Sequence, residues 1–163
     1  MMRLYFRDNF FYAGQTDILN ESNERIGEVD LRSAFGSSLG VFDQTGQQRY
    51  TGKFPVFSNK WVVSDGFEEE RGVLRYRFSF FTKRYEYYSQ NKGVFEITSP
   101  AFSREYEVRS EDGRLAATFE KVNGWFSASA YCLENFTDEL DSFEWVAVIL
   151  GMHEIQKRHN SAN

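Results

Sequence analysis

Trp145 through Met152 is apolar or glycine at every position, inside a segment that carries helix signals at both ends. That run covers about two helical turns. A helix lying on a protein surface would show a polar stripe over such a length. This one has none, so it must be enclosed on all sides. A bilayer core of about 30 Å needs about 20 apolar residues, and the run, closed by Glu144 and His153, is far shorter. The enclosing medium is therefore protein. A β-strand over "WVAVIL" is the structural alternative.

The surrounding signals favour the helix. Thr137 or Asp141 offers an N-cap, and Asp141 with Glu144 three residues on matches a capping box. Asp138, Glu139 and Asp141 suit the positive end of a helix dipole, and Lys157, Arg158 and His159 suit the negative end. Residues 137–160 thus read as the last element, with the helix itself over 139–158.

Everything before it reads as strand. Turn signals recur at "NESNE" 20–24, "DQTGQ" 43–47, "SDG" 64–66, "SQNKG" 89–93, "EDG" 111–113 and "NG" 123–124. Asp-Gly and Asn-Gly supply the positive φ that tight hairpins use. Between the turns, residues alternate. In "RYRFSFF" (75–81), Arg75, Arg77 and Ser79 fall on one face and Tyr76, Phe78 and Phe80 on the other, which predicts one wet and one buried side. Strands are expected near 3–8, 10–19, 25–32, 38–43, 47–56, 60–64, 73–81, 84–89, 92–98, 104–109, 113–120 and 125–133. "PVFSNKWVVSDG", "SFFTKRYEYYSQNKG" and "PAFSREYEVRSEDG" share a plan of Phe, polar break, strand and turn, the mark of a repeating meander. Aromatic residues at 18% fit sheet, and two prolines leave few interruptions.

About twelve strands and one helix that no water can touch define a single arrangement. Eight strands enclose little beyond their own side chains, whereas a larger closed sheet has room for a helix. The expected fold is mainly β: one domain over 1–163, a closed antiparallel barrel around a central hydrophobic C-terminal helix. At 163 residues the chain suits one domain with a core that needs neither metal nor disulfide.

The opening "RLYFRDNFFYAGQTDIL", the unit "FSREYEVRSEDGRLAATFEK" followed by "GWFSASAYCL", and the terminal "DSFEWVAVILGM" together resemble the tubby C-terminal-like superfamily. The resemblance is in particular to its LURP-one-related branch and small bacterial members, and it covers nearly the whole chain. That resemblance implies the barrel with a central helix. Its members include phosphoinositide-binding tubby domains, phospholipid scramblases and many proteins with no known activity. No tubby phosphoinositide-binding motif has a counterpart here position by position, so no site residue follows from it.

Chemical signatures are sparse. The net charge of −5 argues against a general nucleic-acid binder. The single cysteine, Cys132, excludes an internal disulfide and fits a reducing cytoplasm. Arg3, Arg7 and Asp8 interrupt the apolar run a signal peptide needs, and no transmembrane segment is expected. Cys132 with His153 could form a thiol–imidazole pair, but no nucleophile motif surrounds it and a free cysteine in an apolar strand is usually core. "FEEERG" (67–72) has consecutive rather than alternating acids, unlike a calcium loop. No enzyme, metal or cofactor is expected.

One stretch stands apart. From Arg71 to Arg84 there are five cations, no acid, and interleaved aromatics. Arg75 and Arg77 on one strand face, supported by Lys83 and Arg84, would suit a phosphate headgroup. The bland reading is a solvated outer face paired with acids such as Glu86 or Glu96. Two functions fit these features. One is a non-catalytic domain binding anionic phospholipid or phosphoinositide headgroups at the cytoplasmic membrane face. The other is a soluble protein-interaction or structural domain without a lipid ligand.

Overall fold

The structure is a computed structural model that describes residues 2–11, 14–31, 38–100, 103, 105–125 and 128–161. Among the described residues there are twelve strands: β1 (Met2–Arg7), β2 (Gln15–Leu19), β3 (Arg25–Asp30), β4 (Ser38–Asp43), β5 (Gln48–Lys53), β6 (Trp61–Asp65), β7 (Glu70–Arg77), β8 (Thr82–Ser89), β9 (Gly93–Pro100), β10 (Tyr106–Arg109), β11 (Leu115–Trp125) and β12 (Ala128–Asn135). Each pairs antiparallel with its sequence neighbours, and β1 pairs with β12, which closes the barrel. One helix follows, α1 (Ser142–Ser161). Parts of the expected strands at 12–13, 32, 104 and 126–127, and of the repeat unit at 101–102, lie outside the described residues.

The helix fills the barrel. Glu144 through Met152 are all buried, as is Ile155, so α1 is enclosed on every side over that length. Trp145 sits edge-on to Phe95 of β9 at 5.2 Å and against Tyr87 of β8 at 6.1 Å. Trp61 of β6 donates its indole N–H to the Ala147 carbonyl at 3.1 Å. Its ring lies flat between two glycines. A Cβ on Gly151 of the helix would sit 2.7 Å from Trp61 Cγ, and one on Gly52 of β5 would sit 2.7 Å from Trp61 Nε1. A mid-helix glycine costs about 1 kcal/mol against alanine. Here it lets the wall approach the helix.

The two ends of the barrel differ. Four of the five hairpins at one end use the same three-residue turn. Asn20, Asp43, Asp65 and Ser110 each accept an N–H from the residue three on, at 2.9 to 3.0 Å. That residue has positive φ: Asn23, Gly46, Glu68 and Gly113. A register shift follows in each pair, the signature of a type I turn with a bulge. The side chains of Asn20, Asp43 and Asp65 cap their own turns by accepting two backbone N–H groups each. These turn residues were legible as turn signals, and they seal this tight end. The opposite end carries the longer connections, including 54–60 between β5 and β6 and 78–81 between β7 and β8. Because α1 starts at the tight end, its last turns emerge here.

Several boundaries differ from expectation for definite reasons. β2 starts at Gln15, because Phe10 and Phe11 leave the strand direction in a turn and plug the barrel, both buried. The pair Asn123-Gly124 is not a hairpin turn. It lies within β11 at a register shift, with Gly124 at φ 78°, and forms a bulge. β7 ends at Arg77, so Phe78 and Phe80 do not continue its buried face; they are 74% and 83% exposed. Asp141 caps α1 by accepting the Phe143 N–H at 2.8 Å. Glu144 does not complete a capping box with it, but turns into the barrel, where Tyr87 donates to its carboxylate at 2.8 Å.

Candidate functional site

The cleft that combines charge with an apolar floor opens where α1 leaves the barrel. It has a volume of about 440 Å³ and is lined by Phe54, Asn59, Lys60, Arg75, Tyr76, Ile155, Arg158 and His159. Three segments build it: the 54–60 connection, the last residues of β7 and the final turns of α1. Helical spacing sends Ile155 into the core and brings Arg158 and His159, three and four residues on, to the rim. Arg158 donates to the Ser58 carbonyl at 3.0 Å, and its guanidinium lies 3.6 Å above the Phe54 ring. The His159 ring lies 4.7 Å from Tyr76. Tyr76 in turn packs against the buried Tyr85 at 5.6 Å.

The described residues lining this cleft include Lys60, Arg75, Arg158 and His159, and no carboxylate. Arg75 is notable within the set. Its Nε is buried and has no hydrogen-bond partner, and its guanidinium stands 5.4 Å from the Tyr88 ring. The acid opposite Arg75 in the β7–β8 register is Glu86. That carboxylate is already taken: Tyr88 donates to it at 2.6 Å and Arg77 at 3.0 Å. The Tyr88 hydroxyl, followed by Arg77, holds the Glu86 carboxyl below its ordinary pKa despite partial burial.

The four cations singled out in the sequence do not form one cluster. Arg75, Arg77 and Arg84 lie on the outer face, with Arg77 opposite Arg84 in the register. Arg77 also donates to Tyr88, and Arg84 pairs with Glu96 at 3.1 Å. Lys83 alternates to the other side. It shares the inward parity of Tyr85 and Tyr87, donates to the Ser103 carbonyl and sits 6.0 Å from the Tyr106 ring. Burial lowers its pKa. Of the four, Arg75 borders the cleft. Lys60, Arg158 and His159 escaped the sequence reading because they lie in segments far from Arg75 along the chain and share no motif with it.

Cys132 and His153 do not meet. Cys132 stands opposite Tyr5 on β1, with inward-pointing Tyr131 and Leu133 on either side of it. His153 packs inside the barrel, 4.7 Å from Phe11. Burial pushes the Cys132 thiol up to about 11, far from a nucleophile's range. Among the described residues no group of three or more His, Cys, Asp or Glu side chains is arranged to hold a metal ion. No helix among them is long and apolar enough to cross a membrane.

No protein-family model matches the chain, and no curated protein sequence does. The fold does have a solved counterpart. The X-ray structure of protein AT5G01750 from Arabidopsis thaliana superposes with a TM-score of 0.66 over 95% of this chain and 91% of that one, at 11% sequence identity. At that identity the likeness is one of fold: a closed antiparallel barrel carrying a helix.

Proposed function

We propose that this protein is a non-catalytic tubby-like domain of the LURP-one-related kind, and that it binds an anionic phospholipid or phosphoinositide headgroup at the cytoplasmic face of a membrane. The whole-chain fold likeness supports the class. The observation that carries the ligand is the cleft at the open end, where Lys60, Arg75, Arg158 and His159 converge with no carboxylate among the described lining residues. Arg75, whose buried Nε has no partner, lines the cleft, and the other donors of its guanidinium suit a phosphate oxygen. Phe54, Tyr76 and Ile155 form a floor suited to the carbon skeleton of a headgroup.

Liposome flotation tests the reading. The protein should float with vesicles containing anionic lipid at low salt and release as salt rises, because screening shortens the reach of charge to about 8–10 Å near physiological ionic strength. Exchanging Lys60 and Arg75 for glutamate together should abolish flotation. Arg77→Glu should weaken it far less, since Arg77 is committed to Glu86 and Tyr88. Equal losses from the Lys60/Arg75 and Arg77 variants, or no flotation of the wild type at low salt, would remove the cleft from consideration. The reading would then shift to a soluble protein-interaction domain.

A further inference from the structure

The open end carries bare aromatic side chains. Phe78, Phe80 and Phe81 tip the 78–81 connection, with Phe81 86% exposed, and Val56 and Phe57 tip the 54–60 connection, both at least 83% exposed. The rings of the first tip pack in series: Phe78 to Phe80 at 5.0 Å, edge to face, and Phe80 to Phe81 at 6.4 Å. The two connections flank the neighbouring strands β6 and β7. With strands about 4.8 Å apart, their tips are rooted about 10 Å from each other. Both project from the end that holds the cationic cleft.

The 54–60 tip is shaped at a cost. Ser58 N–H closes a turn onto the Pro55 carbonyl at 3.1 Å, and Phe57, the third residue of that turn, has φ 58°. That position ordinarily takes glycine or asparagine, and a bulky side chain in the left-handed region is strained. The strained residue is fully exposed, so no packing among the described residues accounts for it. An aromatic held at such a position is presented for a contact outside the fold rather than within it.

Charge identifies that partner. Neither the 54–60 nor the 78–81 connection contains a carboxylate. Lys60 ends the 54–60 connection, and Arg75 and Arg158 line the cleft with it at this end. Clustered rings on the 78–81 tip, with Val56 and Phe57 on the other and cations in the cleft beside them, match the interfacial layer of an anionic bilayer, where aromatic rings settle at headgroup depth and basic residues face the surface potential. A protein partner is the other occupant such tips admit; acid-free, narrow, separate projections favour the membrane.

We infer that the 54–60 and 78–81 connections are membrane-insertion tips, which dock the barrel end-on with the axis of α1 across the membrane plane. The inference rests on the headgroup reading for its choice of an anionic membrane, but it concerns different residues and can fail separately.

Two measurements on the full chain decide it. In the first, an environment-sensitive fluorophore is attached at Phe80→Cys, or at Asp112→Cys in a tight-end turn as control. The buried Cys132, with its raised pKa, leaves the introduced thiol as the reactive one. On phosphatidylcholine vesicles containing phosphatidylserine, the Phe80→Cys label should brighten severalfold and be quenched by lipids brominated on the acyl chain; the Asp112→Cys label should do neither. In the second, the triple change Phe78→Ser, Phe80→Ser, Phe81→Ser should lower vesicle affinity on the order of tenfold or more, a factor within reach of a partly buried aromatic ring. It should leave the melting temperature and the binding of soluble inositol trisphosphate unchanged. Vesicle binding with a silent Phe80→Cys label, or with full affinity in the triple variant, overturns the inference and leaves the headgroup reading standing. A tip-dependent vesicle signal without inositol trisphosphate binding upholds the tips and removes the headgroup reading. A label response to protein concentration alone, without vesicles, overturns the membrane in favour of a protein partner.

Discussion

Tyr87 and Glu144 meet at 2.8 Å inside the barrel, the one hydroxyl reaching across from β8 to a carboxylate on the first turn of α1. Both are buried, Glu144 at 6% exposure. Burial pushes the Glu144 carboxyl up to about 7, with Asp141 and Asp65 adding to the rise, while the Tyr87 hydrogen bond and Arg71 oppose it. The folded protein therefore holds this proton more tightly than the unfolded chain does. The contribution is fully present below the unfolded pKa, near 4.5, and is lost as pH rises through about 7. The expected outcome is a melting temperature that falls between pH 5 and pH 8. Glu144→Gln, which keeps an acceptor for Tyr87 and cannot ionise, should flatten that dependence. The gap between variant and wild type should approach about 3 kcal/mol at pH 8. Denaturant unfolding at the two pH values measures it, and an unchanged slope in the variant would assign the dependence to other groups.

Trp61 and Gly151 give a prediction of opposite sense to helix propensity. Gly151→Ala should favour the helix by about 1 kcal/mol. The added methyl, however, meets the rigid indole of Trp61, which is fully buried and hydrogen-bonded to Ala147. Overpacking of this kind costs about 1–3 kcal/mol. The net is destabilisation, a melting temperature lower by several degrees at about 2–4 °C per kcal/mol for a chain of this size. A higher melting temperature would mean that Trp61 can move aside.

Val148→Asp tests whether α1 is central. Val148 has no exposure and faces an apolar interior. An unpaired carboxylate there should cost more than about 4 kcal/mol, enough to remove most of a typical domain's stability. Melting temperature and soluble yield report it, and a variant that melts near wild type would place the helix elsewhere.

The barrel and its plug were legible because two periods say two different things. Alternation in β7 and β8 can only serve a wall wet on one side, and eight consecutive apolar or glycine positions from Trp145 can only serve a helix with no wet side. What misled was continuity. The alternation of Tyr76, Phe78 and Phe80 runs on past the end of β7, and periodicity alone does not distinguish a buried face from a tip that points into water. Glu144 looked like a cap partner because its spacing fits, yet the barrel offered it Tyr87. The cleft was hardest to see. Arg75 stood out within its cation run, but Lys60, Arg158 and Phe54 come together with it only once the barrel has closed and α1 has threaded it.

Asn135 was equally silent in the sequence, and it ties α1 to the wall. It is the last residue of β12, 6% exposed, and all its bonding capacity turns toward the chain that follows. Its amide donates to the Leu140 carbonyl at 2.9 Å and to Ser142 Oγ at 3.1 Å, and its oxygen accepts the Thr137 N–H at 3.1 Å. The side chain thus folds residues 136–141 into the bend that turns the chain from the wall into the barrel. Asn135→Ala leaves a buried carbonyl and a backbone N–H short of partners, at about 1–3 kcal/mol each. The expected loss is about 2–4 kcal/mol in all, a melting temperature lower by roughly 5–15 °C. Asn135→Asp should be worse at neutral pH, because the new carboxylate faces the Leu140 carbonyl with no proton to offer, and should recover in part on acidification as the carboxyl becomes protonated. Thermal unfolding of both variants at pH 5 and pH 7.5 separates the cases. If Asn135→Asp matches wild type at pH 7.5, the amide donors are not what anchors the start of the helix.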